Sequence, residues 1–433
     1  MSRGPERAEA SGRVALGCIA DDYTGSTDVA AALRRAGLRT VLSFGPPEPG
    51  TVPPSCEAIV VALKTRTAPV VEAVARTRDA RRRLAELGAA RLYLKYCSTF
   101  DSTDDGNIGP IADGVLDDVG APLTVVCPAA PEHGRTVYQG HLFVRDRLLS
   151  ESSMKDHPLT PMTDPDLVRV LSRQTPHPVA LLPHATVRDG AAAVRDALDT
   201  LRRQGVRYAV ADAVCGGDLE VLAAGSAHLP VVTGAAGLAG AAGTIAAGDG
   251  RYGTSTLTAP ADEAALPAGP GIVLSGSCSQ TTLAQVEAAR AVMPSYRVDP
   301  AKTPDRDGMV AGARAWLDAH AGGGPVMVYS SAEAAERANS PLGPAAGAIL
   351  EDVLARAAEH AVGLGYRRIV VAGGETSGAV LDRLGVRSVV VAGEEDRGVP
   401  WCRSTGGPEL ALLLKSGNFG REDLLVRAIG GHR

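Results

Sequence analysis

Short apolar runs alternate with longer stretches of helical spacing along most of this chain. The first run covers residues 14–20, is followed by a polar turn at 21–26, and leads into an alanine-rich helical stretch that ends at Gly37. The same order recurs, with further predicted strands at 40–43, 58–63, 91–95, 123–127, 179–182, 208–211 and 231–233. Strands that alternate with helices predict a parallel, doubly wound sheet.

Two segments break this alternation. From residue 128 to about 165 a long segment has no clear period, which is typical of lids, binding loops or oligomer contacts. The stretch 256–271 is rich in Ala, Pro and Gly and precedes a new strand, so we predict a linker there.

The resulting fold prediction is an α/β protein with two doubly wound domains, mostly parallel sheets and a ligand cleft between the domains. We expect a disordered N-terminus at 1–13, an N-terminal domain at 14–255, the linker, and a C-terminal domain at 272–433.

Small residues follow the predicted strands of the second half. Five strands end in Gly or Ser, at 275–277, 330–331, 373–374, 393 and 416–417. A glycine turn that opens a helix presents free N–H groups and the positive end of the helix dipole to an anion. Any one of these turns could simply be a tight connection, but their recurrence favours a nucleotide-phosphate site.

Charged residues follow the predicted strands of the first half. Asp21 and Asp22 come directly after the first strand, and Arg66 and Lys95 follow or end two others. Paired carboxylates can accept a hydroxyl proton during phosphoryl transfer or hold Mg²⁺, and Arg and Lys suit an acidic ligand. A simpler interpretation is that Asp22 or Thr24 caps the following helix.

The loop at residues 98–107 offers hydroxyls, carboxylates and an amide, a set suited to a polyhydroxylated ligand, although a solvated turn is the competing interpretation. His141 and His157 are more typical of hydrogen-bonded structural residues than of acid–base groups. We find no spacing that predicts a metal site.

Composition narrows the class of partner. Lys and Arg total 44 against 49 for Asp and Glu, a net charge of −5, and no basic block occurs, which argues against nucleic acid or an anionic membrane as partner. The seven cysteines are scattered without a C-x-x-C pair, so neither disulfides nor a zinc site is indicated. The polar start has no signal-like apolar region, and we expect a cytoplasmic protein with a small-molecule substrate.

Several long motifs, in order, resemble the four-carbon acid sugar kinases and, within them, the 3-oxo-tetronate kinase subfamily. They are D-D-Y-T-G at 21–25, K-Y-C-S-T-F-D-S-T-D-D-G-N-I-G-P at 95–110, the segment 134–161, L-S-G-S-C-S at 274–279, G-G-E-T-S-G at 373–378 and L-K-S-G-N-F-G at 414–420.

The resemblance implies an N-terminal domain that binds the sugar acid and a C-terminal domain that binds ATP, with Mg²⁺ as cofactor. The γ-phosphoryl group would pass to the 4-hydroxyl of a 3-oxo-tetronate, with Asp21 and Asp22 as catalytic residues. The implied substrate contacts are Thr24, Arg66, Lys95, Ser98, Asp101, Ser102 and Asn107. The implied nucleotide contacts are Ser275, Gly276, Ser277, Gly373, Gly374, Glu375, Thr376 and Gly417.

Two departures from the family pattern bear on these roles. The residues before Val399-Pro400-Trp401 are unusually charged, which affects the nucleotide contacts expected there. Asp105 precedes Gly106 where the wider family has Arg, which should alter the acid pocket.

Other functions stay open from the sequence alone. An NAD-dependent oxidoreductase would use Glu394, about twenty residues after Gly373, as its ribose-binding acid, but Gly373, Gly374 and Gly378 do not form G-x-G-x-x-G. A non-catalytic sugar-acid binding protein and a kinase for a tetronate such as threonate or erythronate are further alternatives. The motifs do not assign the base, the Mg²⁺ ligands, the substrate stereochemistry or the oligomeric state, although the 128–165 segment could form a homodimer contact.

Overall fold

The computed structural model describes residues 14–248 and 265–430, except residues 49, 54 and 158. The predicted disordered N-terminus at 1–13 and most of the predicted linker at 256–271 lie outside the described residues. The domain boundaries therefore stay predictions.

Strands and helices alternate through most of the first half. Its strands are β1 Leu16–Ala20, β2 Thr40–Phe44, β3 Ala58–Ala62, β4 Leu92–Lys95, β5 Thr124–Cys127, β6 Arg135–Tyr138, β7 His141–Val144, β8 Arg147–Leu148, β9 Val179–Leu182, β10 Tyr208–Ala211 and β11 Val231–Gly234. Its helices are α1 Tyr23–Arg35, α2 Val70–Glu86, α3 Ile108–Val119, α4 Leu167–Ser172, α5 His184–Arg188, α6 Ala191–Arg203, α7 Gly216–Gly225 and α8 Ala236–Gly248.

The second half continues the alternation and ends with a hairpin and one further strand. Its strands are β12 Gly271–Ser275, β13 Ser295–Arg297, β14 Val326–Tyr329, β15 Arg368–Ala372, β16 Ser388–Asp396, β17 Val399–Ser404 and β18 Ala411–Lys415. Its helices are α9 Gln280–Arg290, α10 Arg306–His320, α11 Ala334–Ala338, α12 Ala346–Gly363, α13 Gly374–Leu384 and α14 Leu424–Ile429.

In the described part of the chain, the strands of both halves join in one sheet of 15 strands, ordered β13-β14-β12-β15-β18-β17-β16-β2-β3-β1-β4-β11-β5-β10-β9. Within each half most neighbours are parallel, for example β1 with β3 and β12 with β15. The halves meet where β16 pairs antiparallel with β2, Val389 lying opposite Leu42. The mostly parallel α/β class predicted from the sequence is confirmed, whereas the continuous sheet was not predicted.

The central strands are apolar because helices cover both faces of the sheet. Every residue of β1, β3 and β18 is buried, as are the inward faces of α1 and α12. Six strand steps separate β1 from β15 in the sheet order. β1 and β15 run in opposite directions along the sheet, because three antiparallel pairs lie between them. The sheet twists by about 20–25° per step. Over these steps the twist turns the carboxyl end of β1 towards the carboxyl end of β15.

The segment that interrupts the alternation forms a small sheet of its own. β6, β7 and β8 pair antiparallel in sequence order. Buried Asp212 holds the turn between β6 and β7, since its carboxylate accepts hydrogen bonds from the backbone N–H groups of Gln139 and Gly140, both at 2.9 Å. This segment is therefore ordered, and His141 and His157 make hydrogen bonds to nearby groups of the same segment.

One detail of the strand-end prediction is wrong. Gly393 does not end a strand, because β16 continues through it to Asp396 and turns into β17. In the second half, glycines therefore follow β12, β15 and β18, and serines follow β14. No helix among the described residues is long and apolar enough to cross a membrane.

Candidate active site

Asp21 and Arg66 form the centre of the site in the first half. Arg66 donates from Nε to Asp21 Oδ2 at 2.8 Å and from Nη2 to Asp21 Oδ1 at 3.0 Å, a two-point contact that fixes both side chains. The backbone supports this geometry, since Asp21 follows β1 and its carbonyl accepts from Thr65 N at 3.0 Å. Arg66 also approaches Asp101 Oδ2 at 3.5 Å.

Asp22 has two roles at the start of α1. Its carboxylate caps the helix, accepting from Gly25 N at 3.1 Å and from Thr24 Oγ1 at 2.9 Å. It also pairs with Arg66 Nη2 at 2.7 Å and with Lys95 Nζ at 3.5 Å. The capping interpretation is therefore correct for Asp22, and it does not exclude a position at the ligand-binding edge.

Burial and charge act differently on the two carboxyl groups. Burial raises the pKa of Asp21, and the opposing effect of Arg66 does not cancel it. Burial would also raise the pKa of Asp22, but Arg66 and Lys95, with the hydrogen bonds from Gly25 and Thr24, outweigh it and hold that pKa well below its usual range. Lys95 is buried as well, yet Asp22 and Asp21 raise its pKa. The cluster thus contains a firmly ionised Asp22 beside an Asp21 that binds a proton more readily.

A small cavity of about 30 Å³ lies beside this cluster. Its walls include Asp21, Arg66, Asp101, Ser102 and Asn107 together with apolar side chains of β1 and α3. Ser98 is half-buried earlier in the same loop and does not line this cavity. The structure therefore assembles most of the predicted substrate contacts at one strand edge.

The two polar atoms of the Asn107 side chain have different surroundings. Its Nδ2 donates to Thr65 O at 2.7 Å and Ala68 O at 2.8 Å, which ties the segment carrying Arg66 to the start of α3. Its Oδ1 is buried and has no hydrogen-bond partner among the described residues. A buried acceptor without a donor is unfavourable, so this oxygen is a candidate contact for a ligand hydroxyl.

The second half presents a cradle of small residues. A Cβ on Gly276 would lie 2.2 Å from Thr376 Oγ1, and a Cβ on Gly417 would lie 2.6 Å from Ser277 Oγ. Gly373 has φ of +125° and directly precedes α13, a conformation that side chains with a Cβ rarely adopt. These glycines bring three loops into contact, so that a ligand could reach the backbone N–H groups at the start of α13.

A cleft of about 750 Å³ opens beside Gly276 and Thr376. It runs along the carboxyl ends of β12, β13 and β14, and its other walls include Cys278, Arg297, Asp299, Ser330 and Glu351. Its size is in the usual range for a site that takes a nucleotide-sized ligand.

The two sites meet at the first turns of α1 and α13. A Cβ on Gly374 would contact Thr24 Cγ2 at 3.4 Å, and Lys64 Nζ lies 3.4 Å from Glu375 Oε2. Glu375 thus faces the first half and is largely exposed, with 71% of its side chain accessible. The cluster around Asp21 and the glycine cradle are therefore neighbouring walls of one cleft.

Comparison with known proteins agrees with this division. The sugar-binding N-terminal domain model matches residues 16–242, and the nucleotide-binding C-terminal domain model matches residues 272–425. The chain belongs to the four-carbon acid sugar kinase family. Among its relatives, a 3-oxo-tetronate kinase of Methylobacterium radiotolerans is 49% identical, over 96% of this chain and 99% of the relative. Another, from Haemophilus influenzae, is 39% identical over 96% and 99%.

Two solved structures of similar sequence share the fold. A crystal structure of a Haemophilus influenzae protein is 38% identical and superimposes with a TM-score of 0.79, covering 96% of this chain and 99% of that one. A Salmonella typhimurium protein, provisionally named a tRNA synthase, is 37% identical with a TM-score of 0.85, covering 95% and 98%.

Sequence reasoning missed several residues of this kinase-family cleft. Arg297 ends β13, a strand of three residues with little apolar signal, and Asp299 follows two residues later. Lys64 was overlooked although it stands two residues before Arg66. Lys415 lies in the motif at 414–420, but the sequence does not reveal that its side chain is fully buried. Among the described residues, no three metal-ligating side chains come together.

Proposed function

We propose that this protein is an ATP-dependent kinase that phosphorylates the 4-hydroxyl of 3-oxo-tetronate. The observation that carries the proposal is the approach of the two halves, since Lys64 Nζ lies 3.4 Å from Glu375 Oε2 and Thr24 lies beside Gly374, so that an acid-binding cluster and a phosphate-type cradle share one cleft. Phosphoryl transfer requires mainly that donor and acceptor be positioned in line and that charge be stabilised. The relatives named 3-oxo-tetronate kinase support this acceptor.

The nucleotide fits the second half. Its phosphates would lie over the start of α13 and against the loops carrying Gly276 and Gly417, where only glycine leaves room for the backbone to approach. The base and ribose would occupy the 750 Å³ cleft, where Asp299 offers a carboxylate to a ribose hydroxyl.

The sugar acid would bind in the first half, near Arg66 and Lys95. We assign Asp21 the role of proton acceptor for the 4-hydroxyl, because it lines the cavity beside Arg66 and Asp101 and because burial raises its pKa. Asp22 would position rather than accept, since it caps α1 and its pKa is held low. Thr24, Ser98, Asp101, Ser102 and Asn107 are proposed to contact the sugar acid.

Mg²⁺ is proposed to enter with ATP. Since no set of three metal-ligating side chains is assembled within the described residues, phosphate oxygens and water would supply most of its ligands. The ion would neutralise phosphate charge when bound.

The oxidoreductase alternative has little support. Glu394, its required ribose-binding acid, accepts a hydrogen bond from Gly398 N at 2.7 Å and pairs with Arg35 at 2.5 Å. This carboxylate is therefore engaged within the β16–β17 hairpin and with α1.

The test is a coupled assay of ADP release with a panel of four-carbon acids, including both stereoisomers of 3-oxo-tetronate, threonate and erythronate. We expect turnover to be fastest with one 3-oxo-tetronate isomer. Absence of ATP turnover with every acid in the panel would refute the proposal.

Cytoplasmic location and a homodimer formed through the 128–165 segment are further proposals. Light scattering of the purified protein, with and without a Tyr138→Glu substitution at the exposed Tyr138, tests the dimer. A wild-type mass of one chain would contradict it.

A further inference from the structure

Lys415 is a buried lysine without a carboxylate partner among the described residues. It ends β18, opposite Ala372 of β15, and its side chain has no accessible surface. Its Nζ donates to Thr282 Oγ1 at 2.8 Å and to Gly417 O at 3.2 Å, and both acceptors are uncharged.

Other lysines of the chain are placed differently. Lys64, Lys95 and Lys302 each pair with a carboxylate, those of Glu375, Asp22 and Asp299, and Lys155 is exposed. A buried charge that lacks a protein partner is costly. The lack of a counter-ion therefore marks Lys415 as a group that an anionic ligand could complete.

The position of Lys415 identifies the ligand group. Gly417 O accepts hydrogen bonds from Lys415, from Thr282 Oγ1 at 2.8 Å and from Ser279 Oγ at 2.5 Å. These bonds hold the loop after β18 against the loop after β12, with Gly417 next to Ser277. Both loops belong to the proposed phosphate cradle.

Burial lowers the pKa of Lys415 to about 7, and no charged side chain of the described residues offsets this effect. The groups that face it are the hydroxyls of Thr282 and Ser279 on the side of α9, the Gly417 carbonyl in its own loop, and Ala372 of β15, none of which titrates near neutral pH. Above pH 7 the free protein would therefore hold Lys415 largely neutral.

We propose that Lys415 positions the nucleotide phosphates: it holds the Gly417 loop in place, and the bound phosphates supply its missing counter-charge, so that nucleotide binding draws a proton onto it. This inference rests on the proposed kinase function. It adds a proton-linked cation to the loops that carry Gly276, Ser277 and Gly417.

Calorimetric titration with ADP at pH 8, in two buffers of different ionisation enthalpy, tests the inference. Phosphate groups, with a second pKa of about 6, are ionised at that pH, so proton uptake reports on the protein. Lys415→Met removes the charge at similar length, and Arg202→Met removes an exposed charge on α6 as a control. We expect uptake of most of one proton by the wild type and the control, and none by Lys415→Met, which should bind ADP at least about tenfold more weakly.

A second measurement does not depend on the variant's folding. The ADP affinity of the wild type should fall by up to about tenfold per pH unit between pH 8 and 9.5, as a proton needed in the complex becomes harder to gain. Unchanged affinity and proton count in a folded Lys415→Met protein, or a flat wild-type pH profile, would overturn the role of Lys415 alone. Failure of the wild type to bind ADP or ATP would overturn the nucleotide site as well.

Discussion

The two walls of the cleft bind their ligands by different means. Around Asp21 and Arg66, charged side chains are paired with one another. Around Gly276 and Gly417, the wall consists of backbone and hydroxyl groups, and the buried amine of Lys415 has no carboxylate partner among the described residues. Ligand binding at the first wall, around Asp21 and Arg66, therefore depends on the balance of charges. Ligand binding at the second wall, around Gly276 and Gly417, depends on the absence of side chains that would fill the space. Substitutions should separate these two dependences.

The largest effect is expected at Asp21. Asp21→Asn removes the proposed proton acceptor but keeps the shape of the side chain, so kcat should fall by about 10²- to 10⁴-fold. The KM for ATP should stay nearly unchanged because the nucleotide wall is intact. Steady-state kinetics measures both constants, with Asp79→Asn, a half-exposed position on α2, as control. A kcat within a few-fold of the wild type would exclude Asp21 as the base.

The next effect is steric and falls on the other wall. Gly276→Ala places a methyl group 2.2 Å from Thr376 Oγ1, so the loops must separate. Overpacking of this kind costs about 1–3 kcal/mol, and we expect the KM for ATP to rise on the order of tenfold while the KM for the acid changes little. Gly363→Ala, where no described atom lies within 4 Å of the new methyl group, is the matched control. An equal change in both KM values would contradict the separation of the walls.

Asn107 tests how the charged wall is supported. Asn107→Ala leaves the carbonyls of Thr65 and Ala68 without their donor, which should lower the free energy of unfolding by about 1–3 kcal/mol. Since the segment that carries Arg66 is then less fixed, the KM for the acid should rise more than that for ATP. Urea unfolding and kinetics measure these effects, and exposed Gln204→Ala should show neither.

The smallest effect is expected where the walls touch. Lys64 and Glu375 form a pair whose side chains are 40% and 71% exposed, and such pairs contribute about 0–1 kcal/mol. A double-mutant cycle with Lys64→Met and Glu375→Gln should give a coupling energy in kcat/KM within that range, decreasing with salt. A larger, salt-independent coupling would mean that the pair closes the cleft during the reaction.

Much of the fold and of the charged wall could be predicted from the sequence. Apolar runs such as β1 and β3 are continuous because both faces of the sheet are covered. The carboxyl ends of parallel strands share one edge, so Asp21, Arg66 and Lys95 were expected to lie together, and they do.

Long-range pairing could not be predicted in the same way. The β2–β16 contact joins residues that are far apart in the chain, and no local pattern specifies it. The three-stranded sheet of β6 to β8 has strands of only two to four residues, too short for a clear period. Lys415 looks like any strand-end lysine until α9 and the Gly417 loop cover it.

The most direct test of the central claim is identification of the product formed from ATP and 3-oxo-tetronate, by mass spectrometry together with ³¹P NMR. We expect stoichiometric ADP and an acid that carries one phosphoryl group on its 4-oxygen. Release of inorganic phosphate with unmodified acid, or a phosphoryl group on another oxygen, would contradict it.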